Sequence, residues 1–136
     1  HLLGESGMSA FATAELAARF GKDFPSALDD APLLLPGEDF AIHQRLLRWL
    51  EQSEVHPRVV GEFDDSAMMK AFGQSGAGIF FAPSVIEAQV CKQYQVVVLG
   101  RVDSVVEQVY AISTERRMSH PGTVAISTTA RDKLFV

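Results

Sequence analysis

The chain has 136 residues, 47% of them hydrophobic and 21% charged, with a formal net charge of −5. That is enough for one globular domain with a real core. The acidic balance excludes a general nucleic-acid binder, which needs a basic face against phosphates. One cysteine, Cys91, excludes an intrachain disulfide and fits a reducing, cytoplasmic setting.

No apolar run approaches the ~20 residues of a membrane span. A start at His1 rather than methionine is expected of a fragment or a processed form. In chain order, residues 1–7 are expected to be irregular and "MSAFAT" (8–13) to be a short strand. Thr13 is a good N-cap for a helix through Phe20, which Gly21 and Pro25 then end. "APLLLP" (31–36) has the pattern of a short buried strand. The clearest helix runs from Phe40 to Ser53, with Ile42, Leu46, Trp49 and Leu50 on one face and Asp39 as its N-cap.

"PRVVGEF" (57–63) is expected to be a strand, and Asp64-Asp65 opens a helix over Ser66–Gln74. "GIFFAP" (78–83) is the next strand. Ser84 and Glu87 have the spacing of a capping box for a helix to Gln93. Strands follow at 94–100 and 104–114. A last helix starts at Ser119-His120-Pro121, with Ile126, Ala130 and Leu134 on one face.

Strands alternating with helices at these lengths imply an α/β fold: a three-layer αβα sandwich with a mainly parallel sheet. In such sheets ligands sit at the carboxyl ends of strands, beside helix N-termini. That rule selects three loops: Pro36–Asp39, Phe63–Ser66 and Ala82–Ser84. Candidate effector-binding residues are Glu38, Asp39, Phe63, Asp64, Asp65, Ser66, Pro83 and Ser84 from these loops, with Phe81, because Phe80 and Phe81 alternate across their strand and one can face the cleft. Four of these, Glu38, Asp39, Asp64 and Asp65, would make an electronegative rim. Carboxylate oxygens suit alkali or alkaline-earth ions, so the same four form a candidate sodium site. One of each pair also suits a helix cap.

"GQSGAGIFFAP" (73–83) has the glycines of a phosphate loop in the wrong order. A phosphate loop needs a strand before it and a helix after it, whereas here a helix precedes and a strand follows. Gly73 or Gly76 is expected to end that helix, and Gly78 to allow a close approach of strand and helix. His1, His43, His56 and His120 lack metal-ligand spacing. His43 borders an apolar helix face and is expected to pack or to lie at the surface. Ser6, Ser66 and Ser84 have no nucleophile-elbow context, and Cys91 lacks acid–base partners. No enzyme activity and no cofactor are expected.

The segment "PLLLPGEDFAIHQRLLRWLEQSEVHPRVVGEFDDSAMMKAFGQSGAGIFFAPSVI", followed by "VYAISTERRMSHPGTVAI", resembles the effector-binding domain of LysR-type transcriptional regulators. The resemblance implies a periplasmic-binding-protein-like lobe of type 2. Residues 1–12 would be a crossover lead-in from a missing first lobe, 13–105 the second lobe, and 106–136 the return strand and C-terminal helix. It also implies dimers or tetramers that bind promoter DNA through an N-terminal winged helix-turn-helix not present in this sequence, with no membrane partner. Within the family the likeness is to an activator of a sodium/proton antiporter operon, which implies sodium, with pH, as the signal. The other function class compatible with these elements is a small-molecule solute-binding domain of periplasmic-binding-protein type.

Overall fold

The structure is a computed structural model that describes residues 2–20 and 23–110. The expected closing helix from Ser119, and the return strand beyond Tyr110, lie outside the described residues. The elements are β1 (Leu2–Ala12), α1 (Ala14–Phe20), a 3-10 turn (Ser26–Leu28), β2 (Pro32–Pro36), α2 (Ala41–Gln52), β3 (Arg58–Phe63) and α3 (Ser66–Gln74). After these come β4 (Phe80–Pro83), a 3-10 turn (Ser84–Ile86), α4 (Glu87–Tyr94) and β5 (Val97–Tyr110).

Strand β3 runs parallel to β2. Leu33 of β2 makes a parallel bridge to Ile79, just before β4. Strand β1 pairs antiparallel with β4 on one side and with β5 on the other. The side-by-side order is thus β3, β2, β4, β1, β5, with β1 running against the rest. The sheet is mixed, where a mainly parallel one was expected.

Alternating side chains send apolar groups to both faces of the sheet. Met8, Ala10, Leu33, Leu35 and Phe81 pack with Leu16 of α1 and with Ile42, Leu46 and Leu50 of α2. Phe11, Leu34, Phe80 and Ala82 face the other way, against Met69 of α3 and Val90 of α4. Such double burial explains the continuous apolar runs of β2 and β4, since a strand covered on both faces has no solvent side to mark with polar residues.

Several boundaries differ from expectation, each for a local reason. Residues 2–7 are strand, because β5 supplies partners as far out as Leu2↔Tyr110. The two strands expected at 94–100 and 104–114 are one, since β1 pairs with both halves of β5. Their register slips where Ser6↔Glu107 gives way to Met8↔Val102, so extra β5 residues stand opposite Gly7. A side chain at Gly7 would sit 3.0 Å from Asp103 Cα, so glycine permits this close approach.

The N-cap of α2 is Phe40 rather than Asp39, and it makes no side-chain cap bond. The capping box at Ser84 and Glu87 does not form: residues 84–86 are a 3-10 turn and Ile86 precedes α4. Both side chains have stronger partners elsewhere, described below. Thr13 does cap α1, its Oγ1 accepting from the Leu16 amide at 3.2 Å. Asp65 caps α3, its Oδ1 accepting from Ala67 at 2.8 Å and Met68 at 3.4 Å.

The glycine run lies between α3 and β4, at the end of the sheet opposite Pro83. Gly76, just past the helix, has φ +87°, the left-handed conformation that suits a helix end. Gly78 faces Leu34 and the Pro32 carbonyl of the neighbouring strand, so the close approach is between strands, not between strand and helix. Gly73 provides the helix-to-strand approach instead, lying under the Phe80 ring.

Candidate effector site

A cavity of about 250 Å³ opens at the carboxyl ends of β2, β3 and β4. Pro36, Phe63 and the stretch Phe81-Ala82-Pro83 supply the strand ends. Phe40, the N-cap of α2, lines it with Ile42 and Leu46 of that helix, and α3 contributes Ser66, Met69 and Lys70. Met8 and Glu107 close it from the β1–β5 ribbon. Among the described residues the wall is therefore mostly apolar, with one hydroxyl, one ammonium and one carboxylate.

The loops are held in place by backbone and histidine bonds. The Gly37 amide donates to the Phe63 carbonyl at 2.8 Å, tying the loop after β2 to the end of β3. His43 is buried, and its Nδ1 donates to the Pro36 carbonyl at 2.8 Å, so its role is to anchor α2 to the end of β2.

Lys70 and Glu107 carry the charge. Burial pushes the Lys70 ammonium below its ordinary range, and Glu107 opposes that shift. Burial pushes the Glu107 carboxyl up, and Lys70 and Arg45 oppose it. Arg45 is itself placed by a bond from its Nη1 to the Val106 carbonyl, at 2.6 Å. The ion pairs among the described residues are Arg19–Glu15 and Arg101–Glu87, and His56 Nδ1 lies 3.7 Å from Asp29 Oδ1. Lys70 and Glu107 thus share a cavity without a direct ion pair.

Of the candidate residues, Phe63, Ser66, Phe81 and Pro83 line this cavity. Glu38, Asp39, Asp64 and Asp65 lie outside it, exposed on two adjoining loops. Asp64 and Gly37 are close enough that a side chain at position 37 would come within 2.7 Å of Asp64 Oδ1. Asp65 is occupied as the α3 cap. Among the described residues no group of three or more His, Cys, Asp or Glu side chains is placed to hold a metal ion.

Ser84 lies beside the cavity and belongs to a polar cluster. Its hydroxyl bonds that of fully buried Ser9 at 2.8 Å, and Ser9 also donates to Glu87. Arg101 grips both oxygens of Glu87 at 2.7 Å. Those Arg101 bonds hold the Glu87 carboxyl below its ordinary range, with Ser9 adding to the effect and burial opposing it. The cluster fixes the turn after β4 against β1 and β5.

Lys70, Glu107, Met8, Phe40 and Met69 were not singled out by sequence. Two of them had a usable signal. Lys70 is one helical turn after Ser66, on the same face. Glu107 shares a strand face with Val105, a buried position.

The LysR substrate binding domain model matches residues 1–134. The chain belongs to the LysR substrate-binding domain family. It is 36% identical over 133 residues to the transcriptional activator protein NhaR of Escherichia coli K12, and equally to that of Shigella flexneri. Those matches take in 98% of this chain but 43% of each NhaR, so the chain spans less than half the length of the relatives it matches.

Solved LysR-type structures show the same fold. The effector domain of AmpR from Pseudomonas aeruginosa aligns with TM-score 0.61 and 18% identity, over 97% of this chain and 65% of that one. Full-length HypT from Salmonella typhimurium, a hypochlorite-specific LysR-type regulator, aligns with TM-score 0.62 and 16% identity, over 95% of this chain and 46% of HypT. Among the described residues no helix is long and apolar enough to cross a membrane.

Proposed function

We propose that this chain is the effector-sensing part of a cytoplasmic LysR-type transcriptional regulator, in which an effector enters the cavity at the strand ends. The observation that carries this reading is the cavity itself. It lies where ligands bind in open α/β sheets, in a chain of the LysR substrate-binding family. Family membership favours this over a secreted solute-binding domain. The complete regulator would act as a dimer or tetramer on promoter DNA.

A crossover role for β1 and β5 belongs to the same proposal. Their outer halves pair with each other beyond Pro83, so they form a ribbon past the strand ends. A ligand held between Met8 and Glu107 of that ribbon and helices α2 and α3 would bias its position. It does so only if its affinity differs between two arrangements.

The likeness to NhaR supports a finer proposal: that the target is a sodium/proton antiporter operon and the signal is sodium, with pH. The carboxylates proposed for an alkali ion are those of the rim, Glu38, Asp39 and Asp64, with Asp65 held as a cap. The test uses the complete regulator and an antiporter-promoter reporter. Ser66→Trp, which fills the cavity mouth, is expected to abolish induction while promoter binding remains. Glu38→Gln, Asp39→Asn and Asp64→Asn together are expected to abolish the sodium response. Unchanged induction in the first variant refutes the cavity reading, and an unchanged sodium response in the second refutes the rim.

A further inference from the structure

Lys70 and Glu107 pose a problem that the cavity can solve. Each is partly withdrawn from water, and among the described residues they are the two charged side chains that line the cavity. A charge taken from water is costly unless it is paired and hydrogen-bonded. Here the two do not touch. Arg45 supplements the attraction on Glu107, but its guanidinium is engaged by the Val106 carbonyl. Phe63, Met69, Phe81 and Met8 line the same cavity.

A bare cation would pair with Glu107 and meet repulsion from Lys70, leaving the ammonium without a partner. A simple carboxylate would satisfy Lys70 and meet repulsion from Glu107. A simple amine would do the reverse. A head group that carries both charges completes both partners at once.

We propose that the cavity binds a small dipolar molecule, with an ammonium directed to Glu107, a carboxylate directed to Lys70, and an apolar body against the phenylalanine and methionine side chains. This deepens the reading of the cavity as the effector site and rests on it. The volume of about 250 Å³ among the described residues suits a small ligand such as a single amino acid with an apolar side chain, being below the ~300–1,000 Å³ of pockets that take drug-sized ligands. Lys70 and Glu107 are thus specificity-determining residues, one for each end of the head group.

The test is calorimetric titration of the complete regulator with L-phenylalanine, 3-phenylpropionate and phenethylamine, which share a ring and differ in the head. Phenylalanine is expected to bind about tenfold or more tightly than either single-charge analogue, as a charge-assisted hydrogen bond on each end would give. Glu107→Gln is expected to erase the margin over 3-phenylpropionate and to keep most of the margin over phenethylamine. Lys70→Met is expected to do the opposite. Circular dichroism of both variants checks that they remain folded.

Equal affinity for the three ligands overturns the dipolar-head proposal and leaves the effector cavity standing. So does a preference that either variant leaves unchanged. If none of the three binds, the dipolar-head proposal falls, and the cavity reading is decided by the Ser66→Trp variant.

Discussion

Gly73→Ala tests the packing account of the glycine run with two opposed effects of known size. In an exposed helix the change stabilises by about 1 kcal/mol, because alanine has less backbone freedom to lose. Gly73 is not exposed. A Cβ there would lie 2.3 Å from two ring carbons of Phe80, while carbon contacts are comfortable at about 3.5–4.0 Å. The ring must therefore retreat by more than an ångström.

It has little room, being fully buried and stacked on Phe11 at 5.4 Å between centroids. Overpacking of this kind costs about 1–3 kcal/mol, occasionally more. The clash outweighs the helix gain by up to about 2 kcal/mol, or up to roughly 8 °C in midpoint for a chain of this size. Urea and thermal unfolding followed by circular dichroism would measure it. Phe80→Leu removes the ring that obstructs the new methyl, so the double variant should be less destabilised than the sum of the singles by about 1 kcal/mol. A stable Gly73→Ala chain with additive behaviour would refute the packing account.

Other changes probe the caps and the polar cluster. Asp65→Ala removes two cap bonds and is expected to cost about 1 kcal/mol, whereas Asp39→Ala, which breaks no cap bond, is expected to stay within about 0.5 kcal/mol of the parent by urea unfolding. Glu87→Gln tests linkage. The carboxyl is held below its ordinary value of 4.5 in the folded chain. Its contribution to stability is therefore complete above that value and is lost as pH falls through the lower folded value. The parent should exceed Glu87→Gln in stability at pH 7, and the gap should narrow steadily below pH 4.5. A gap that does not change with pH would remove Arg101 as the cause.

The fold class and most elements were legible because they rest on local signals. The spacing of Ile42, Leu46 and Leu50 marks α2, and the Pro-bounded triplet Leu33–Leu35 marks β2. What failed depended on distant partners. Glu87 has the spacing of a capping box, yet Arg101 and Ser9 offer it charge-assisted bonds that an N-cap amide cannot match. Residues 2–7 carry no strand pattern of their own and are strand because β5 lies beside them.

The cavity opens at the sheet end to which the strand-end rule points, and Phe63, Ser66 and Pro83 of its loops line it. The rule could not supply Lys70 or Glu107, which look like ordinary solvated charges until α3 and β5 are brought together. Acidic residues stood out in sequence because they are paired. In space they form the rim, and the cavity interior holds a lysine.

That separation constrains any sodium response. Selectivity for sodium needs several oxygen ligands at fixed short distances, with ligand number and cavity size setting the choice of ion. Exposed carboxylates on two loops provide a field, and fields between exposed charges are screened over about 8–10 Å at physiological salt. Such a field attracts sodium and potassium alike. The triple rim variant in the complete regulator should therefore be tested with sodium and potassium chloride at equal ionic strength. If potassium reproduces the sodium response and the variant loses both, the rim acts as a diffuse field. If only sodium acts, and the rim variant abolishes it, the remaining oxygen ligands must come from outside the described residues, with Glu38, Asp39 and Asp64 as one half of the shell. If sodium alone acts and the rim variant still responds, these carboxylates do not sense the ion.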